Sequence, residues 1–141
     1  MLPREVFLDA SYAIALSSSK DEYHARADML AEYLVEAGTR LVTTRAVLLE
    51  IGNALARQRF RDAAVELLDA LENDPVVEII PLSELLYSQA LQLYRERTDK
   101  EWGLTDCVSF VVMQERGLAA ALTTDVHFQQ AGFRALLVEE K

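Results

Sequence analysis

Short runs rich in β-formers alternate with stretches of helical spacing along the whole of this sequence, and that alternation constrains its fold more than any other feature. Glu5-Val-Phe-Leu-Asp9 reads as a short buried strand stopped by an Asp, and Ser11 opens an alanine-rich turn of helix after it. From Asp21 to Ala37, the residues Tyr23, Ala27, Leu30, Leu34 and Ala37 recur at three- and four-residue intervals, and Gly38 closes the pattern as a C-terminal cap. Arg40 to Thr44 predicts a second strand and Arg45 to Arg59 a second helix, with Leu48, Ile51 and Leu55 as its apolar stripe. A helix over Ala63 to Leu71 is broken by Asn73-Asp74-Pro75. Val76 to Ile80 is the third strand, and Ser83 caps a helix running to Arg97. Cys107 to Met113 is apolar on every side, as a core helix would be, and Gly117 ends it. Leu118 to Thr124 and Arg134 to Val138 give two further strands around a short helical segment, Asp125 to Ala131.

Five strands alternating with helices predict an α/β fold, a mostly parallel sheet covered on both faces, with ligands outside the carboxyl ends of the strands. The 141 residues form one expected domain, with no linker or repeat. The longest stretches free of charge, Ala10 to Ser19 and Leu85 to Tyr94, are ten residues each, whereas a membrane span needs about twenty. Glu5 and Asp9 interrupt the apolar run near the N-terminus, where a secretory signal would need its hydrophobic segment, so a cytoplasmic location is expected. A single cysteine, Cys107, rules out an intramolecular disulfide and a multi-thiolate zinc site.

The charge balance is 14 basic against 23 acidic residues, net −9, which disfavours holding nucleic acid by phosphate neutralisation alone. The placement of the acids matters more than their number. Asp9 ends the first strand, Asp125 follows the fourth, and Asp106 starts the core helix, so all three belong to the carboxyl edge of the sheet. Glu50 lies one turn into the helix after the second strand, on a stripe with Val47, Asn53 and Ala54, and can point at the same edge. Taken alone, Asp9 reads equally well as a helix cap, and Asp106 and Asp125 read more readily as caps or first-turn carboxylates than as ligands. Glu50 has no such explanation beside Ala46 and Val47. Four converging carboxylates repel unless cations are bound, and oxygen donors suit Mg²⁺ or Mn²⁺, which can activate water and clamp a phosphodiester.

Around these four, Ser11 is a candidate partner of Asp9, and Asp99 a candidate fifth acid that reads otherwise as a solvated loop residue. Arg57, Arg59 and Arg61 are candidate contacts to a nucleic-acid backbone or members of a salt-bridged face. His24 reads as an exposed helix residue. His127, lacking a second His at ligand spacing, reads as no metal ligand, and Cys107 as a core thiol. Tyr87, Tyr94 and Trp102 read as core or interface residues rather than base-stacking platforms. The apolar residues of the helices from Tyr23 to Leu71 offer a face for partners.

The segments Val6-Phe-Leu-Asp9-Ala-Ser11, Leu48-Leu-Glu50-Ile-Gly-Asn53, Leu104-Thr-Asp106-Cys and Leu122-Thr-Thr-Asp125-Val-His-Phe128 together resemble the ordered acidic motifs of PIN-domain ribonucleases, and among them the VapC-type toxins of toxin-antitoxin pairs. The likeness covers essentially the whole chain. It implies a three-layer α/β/α sandwich, Mg²⁺- or Mn²⁺-dependent endoribonuclease activity leaving a 5′-phosphate and a 3′-hydroxyl, a homodimer, and an antitoxin that blocks the site. It also assigns metal-binding and catalytic roles to Asp9, Glu50, Asp106 and Asp125, with Ser11 supporting and Asp99 as an extra acid. Other α/β readings are an RNA-processing PIN nuclease without antitoxin, a catalytically silent partner-binding scaffold, and a phosphoacceptor signalling module. The last lacks a second acid beside Asp9 and a lysine after a late strand.

Overall fold

In the computed structural model, which describes residues 2–139, β1 (Glu5–Leu8) lies at the centre of a five-stranded sheet. The chain continues through α1 (Ala10–Ser17), α2 (His24–Ala37), β2 (Arg40–Thr44), α3 (Arg45–Ala54) and α4 (Gln58–Asn73) to β3 (Val77–Ile80). It returns through α5 (Glu84–Glu96) and α6 (Leu104–Arg116) to β4 (Ala120–Leu122), and ends with α7 (Val126–Gln130) and β5 (Arg134–Ala135). Every pairing is parallel and the order is β3-β2-β1-β4-β5. Parallel neighbours require right-handed crossovers, and the reversal of direction after β3 puts α1 to α4 on one face and α5 to α7 on the other. The sandwich expected from the alternation is therefore present, with a sheet parallel throughout.

The strand order reverses between β1 and β4, and at such a switch point the connections leave in opposite directions and open a crevice at the carboxyl edge. Asp9 and Asp125 stand on either side of it.

The core fixes that crevice from beneath. Phe7 of β1, Phe110 of α6 and Phe128 of α7 are all fully buried. Phe128 lies 6.2 Å from Phe7 and 5.0 Å, edge-on, from Phe110 between ring centroids, the spacing at which aromatic pairs attract. Each ring sits within one helical turn in sequence of an acid: Phe7 before Asp9, Phe110 after Asp106, Phe128 after Asp125. One aromatic cluster thus ties together the three elements that carry the aspartates.

Several boundaries differ from expectation. The segment from Arg45 to Arg59 is not one helix: α3 stops at Ala54 and α4 begins at Gln58. No Pro or Gly marks the bend. The freed backbone groups are met locally, Arg61 Nη2 donating to the Ala56 carbonyl at 2.6 Å and the Phe60 N–H to the Arg57 carbonyl at 2.9 Å. α2 starts at His24 rather than Asp21, because the Asp21 carboxylate accepts the Tyr23 N–H at 2.8 Å and holds a turn ahead of the helix. The apolar run at Cys107–Met113 is the buried middle of a longer helix, α6. β4 ends at Leu122 because hydroxyl groups take the next backbone N–H donors out of the ladder, and β5 ends at Ala135 where Arg26 grips the Leu136 and Glu139 carbonyls. Gly38 and Gly117, both at φ 66°, cap α2 and α6 in the left-handed conformation expected of them. Among the described residues no helix is long and apolar enough to cross a membrane.

Candidate active site

Asp9 follows the last residue of the central strand and is 6% exposed. It occupies the N-cap position of α1, but its side chain makes no capping hydrogen bond to that helix. Instead its Oδ2 accepts from Ser11 Oγ at 2.9 Å and from Thr123 Oγ1 at 2.8 Å. Both hydroxyls spend their single proton on Asp9 and accept backbone N–H groups from the turn after β4: Thr124 N–H to Ser11 Oγ and Asp125 N–H to Thr123 Oγ1, each at 3.0 Å. Ser11 is thus the partner of Asp9 that the sequence suggested. Thr123, wholly buried, is the partner it did not suggest.

Asp106 and Asp125 both do two things. Asp106, in the first turn of α6, accepts the Gly103 N–H on Oδ2 at 3.0 Å, and the same oxygen lies 3.1 Å from His127 Nδ1. Asp125 caps α7, its Oδ1 accepting the His127 N–H at 2.8 Å, and lies 3.3 Å from His127 Nδ1. The capping and clustering readings are compatible, because a carboxylate has lone pairs for both.

Glu50 reaches the crevice from α3, a helix begun by the Thr44 hydroxyl accepting the Val47 N–H at 3.1 Å and packed against α6. Its carboxyl is pushed up to about 7, first by burial and then by repulsion from Asp9, Asp106 and Asp125 in turn. Burial also raises Asp9, against the pull of its two hydroxyl donors, and raises Asp106, against the Gly103 N–H; each also feels a neighbouring acid. Glu50 therefore lies within electrostatic reach of all three aspartates.

Among the described residues no Lys or Arg forms an ion pair with any of the four; the imidazole of His127 is the one basic group within ion-pair distance. The donor set fits a hard divalent cation: carboxylate oxygens beside hydroxyl groups, with Glu50 pushed up by burial and by the three aspartates. Asp106, Asp125 and His127 each offer a ligand atom within 4.8 Å of the others. The sequence offered His127 no second histidine as a companion; in the fold its neighbours are carboxylates, one of them 21 residues away.

The remaining candidates fall elsewhere or on the rim. Asp99 is held in a two-pronged fork by Arg97, at 2.9 and 3.0 Å, which lowers its carboxyl to about 2; it is not among the acids that perturb Glu50. Arg57, Arg59 and Arg61 are exposed at the start of α4, Arg59 lying 4.7 Å over the Phe60 ring. His24 is half-buried rather than exposed, its Nδ1 2.8 Å from the Ala15 carbonyl. Cys107 is buried, its thiol pushed up to about 11, and Trp102 is a core residue bonded to Gln130. Tyr87 and Tyr94 are exposed. Tyr87 lines, with Leu49, Asn53, Leu82 and Leu104, a cleft of about 290 Å³ that has Glu50 in its wall.

Comparison with known proteins agrees with this arrangement. The PIN domain family profile matches residues 6–134. The 23S rRNA-specific endonuclease VapC20 of Mycobacterium tuberculosis, found in two strains, is 29% identical over 128 residues, covering 91% of this chain and 95% of that protein. The crystal structure of VapC20, described as a sarcin-ricin loop cleaving toxin, superposes with a TM-score of 0.81 at 28% identity, again over 91% and 95% of the two chains. VapBC2 from Rickettsia felis, solved with a promoter DNA fragment, shares the fold alone, with a TM-score of 0.65 and 14% identity over 93% of this chain and 96% of that one. In length, fold and the order of its acidic motifs, this chain belongs to the PIN-domain family.

Proposed function

We propose that this chain is a divalent-metal-dependent endoribonuclease of the VapC type, hydrolysing RNA phosphodiester bonds. One observation carries the reading: four carboxylates on four separate elements come within electrostatic reach, and among the described residues no Lys or Arg pairs with any of them. Asp9, Glu50, Asp106 and Asp125 would hold Mg²⁺ or Mn²⁺. When bound, the cation supplies positive charge for the phosphate and lowers the pKa of attacking water.

The chain's own residues account for the rest. Ser11 and Thr123 keep the Asp9 carboxylate oriented and link it to the turn that carries Asp125. Glu50, its carboxyl pushed up to about 7 by burial and by the three aspartates, is an acid whose protonation responds to what occupies the crevice. Arg57 and Arg59, exposed at the start of α4, would contact the RNA backbone and offset a net charge of −9. VapC20 supplies the first substrate to test, a 23S rRNA loop, and single-stranded loops are the RNA elements that a crevice of this kind can enter.

The exposed apolar residues Tyr33 and Val35 of α2, Leu49 of α3 and Phe60 and Val65 of α4 are surfaces for a second copy and for an antitoxin, the two partners a VapC toxin would have. The deciding experiment is cleavage of a pool of structured and single-stranded RNAs by the purified protein with Mg²⁺, Mn²⁺ or EDTA, beside Asp9→Asn. Metal-dependent cutting lost in the variant supports the nuclease. Full activity in Asp9→Asn overturns it, and stability that does not respond to either cation favours the silent scaffold.

A further inference from the structure

His127 stands out because, among the described residues, it is the nitrogen ligand grouped with the carboxylates of Asp106 and Asp125. Its Nδ1 lies 3.1 Å from Asp106 Oδ2 and 3.3 Å from Asp125 Oδ1, and the three ligand atoms are all within 4.8 Å of one another. Adjacent ligands on an octahedral ion with bonds of about 2.1 Å are about 3.0 Å apart, so the 3.1 and 3.3 Å spacings, which also suit a hydrogen bond, fit donors sharing one ion. The backbone that carries the ring is held: α7 is fixed by the Phe128 packing beneath it, and the His127 main-chain N–H is tied to Asp125 at 2.8 Å. His127 is also 28% exposed, so the position is open to an entering cation.

We propose that His127 Nδ1 is a direct metal ligand and that it makes this site select Mn²⁺ over Mg²⁺. The chemistry follows from the donor. Mg²⁺ takes oxygen almost without exception and gains little from an imidazole, whereas first-row transition ions, Mn²⁺ the weakest among them, bind imidazole nitrogen as well as carboxylate. An all-acid site has no such bias. The inference rests on the reading of the carboxylate cluster as a cation site.

The alternative role for His127 is to donate a hydrogen bond to Asp106 and only orient that carboxylate, and the two roles separate spectroscopically. In the full-length protein loaded with Mn²⁺, pulsed electron paramagnetic resonance should show a directly bonded ¹⁴N coupling, which changes to the ¹⁵N pattern when only the histidines are ¹⁵N-labelled. In His127→Gln, which keeps a hydrogen-bond donor, the coupling should vanish. Titration with each metal alone should then show Mn²⁺ affinity falling about tenfold or more with Mg²⁺ affinity changing far less.

Mn²⁺ that binds without histidine coupling overturns the ligand role while leaving the cation site standing. Equal losses for Mn²⁺ and Mg²⁺ in His127→Gln also overturn it, since an orienting residue serves both ions alike. No Mn²⁺ binding to the wild-type protein overturns this inference together with the cation site itself. The labelling experiment needs no variant, so a folding defect in His127→Gln cannot decide the matter.

Discussion

Thr123 Oγ1 donates to Asp9 Oδ2 at 2.8 Å across the junction of β1 and β4, and the same oxygen accepts the Asp125 N–H at 3.0 Å. A wholly buried hydroxyl thus fixes one acid directly and another through the backbone. Thr123→Val keeps the shape and removes both bonds, leaving a buried carboxylate and an N–H short of partners, which costs about 2 kcal/mol. Urea denaturation should show that loss, with weakened Mn²⁺ binding, and Thr123→Ser should restore both. A Val variant within about 0.5 kcal/mol of wild type, with unchanged metal affinity, removes Thr123 from the site.

The pH dependence of stability should be inverted relative to an ordinary acidic protein. Glu50 is raised from 4.5 to about 7 in the folded chain, so between those values the folded state holds a proton that the unfolded state has released. Stability without metal should therefore fall as pH rises through this window, because the unfolded state binds fewer protons than the folded one, and level off above about 7. Asp9 and Asp106, also raised, act in the same direction. The lowered acids, Asp99, Glu78 and Glu139, act only at the acidic end, where their protonation begins. The expected change is about 1–2 kcal/mol, since Glu50 is only half-buried and water screens part of the repulsion. Saturating Mg²⁺ or Mn²⁺ should abolish or reverse the slope. Thermal melts across this range, with EDTA or metal, read it directly, and a slope that metal leaves untouched argues against a site at Glu50. Glu50→Gln should flatten the metal-free slope.

Phe128 joins the core to the site. Its ring is fully buried between Phe7 and Phe110, and its helix carries His127 and is capped by Asp125. Phe128→Ala should cost about 3–5 kcal/mol, the usual loss for a large core ring. Phe128→Leu keeps most of the volume and should cost clearly less. Because the helix would then shift against Phe7 and Phe110, metal affinity should fall in Phe128→Leu even where the chain stays folded. Denaturant unfolding beside metal titration of that variant checks the coupling, and unchanged affinity would show that α7 holds its place by hydrogen bonds alone.

What the sequence made legible follows the range of the interactions involved. Strand-helix alternation, the Gly38 and Gly117 caps and the Ser83 cap are local, and each lies where the pattern puts it. The four acids were legible because topology gathers every strand's carboxyl end at one edge, so position along the chain sufficed. Thr123 and His127 were not, although both lie in the segment around Asp125, because their bonds to Asp9 and Asp106 span 114 and 21 residues and no local spacing announces them. The bend between α3 and α4 was hidden for another reason: Ala54-Leu55-Ala56 has high helix propensity, and only the return of α4 against α3 makes the break favourable. Asp99 was ambiguous by spacing alone. The neighbour that decides its placement, Arg97, is two residues away and forms a fork with it.

Arg57, Arg59 and Arg61 give the last prediction, one that separates substrate holding from chemistry. All three are exposed beyond the C-terminal end of the Glu50 helix, and their commitments differ. Arg61 is spent on the Ala56 carbonyl, where it stabilises the α3–α4 bend. Arg59 lies over the Phe60 ring, and Arg57 stands at the N-cap of α4. Arg57→Ala and Arg59→Ala should therefore weaken RNA binding by a similar factor for every sequence. Each should also reduce the slope of log affinity against log salt by about 0.7 for every single-strand phosphate that the arginine neutralises in the wild type. Cleavage at saturating RNA should hardly change. Arg61→Ala should instead lower stability by about 1 kcal/mol through the loosened bend. Binding titrations at several salt concentrations, with denaturant unfolding of each variant, test the division. A salt slope unchanged in both Arg57→Ala and Arg59→Ala would move the RNA path away from α4.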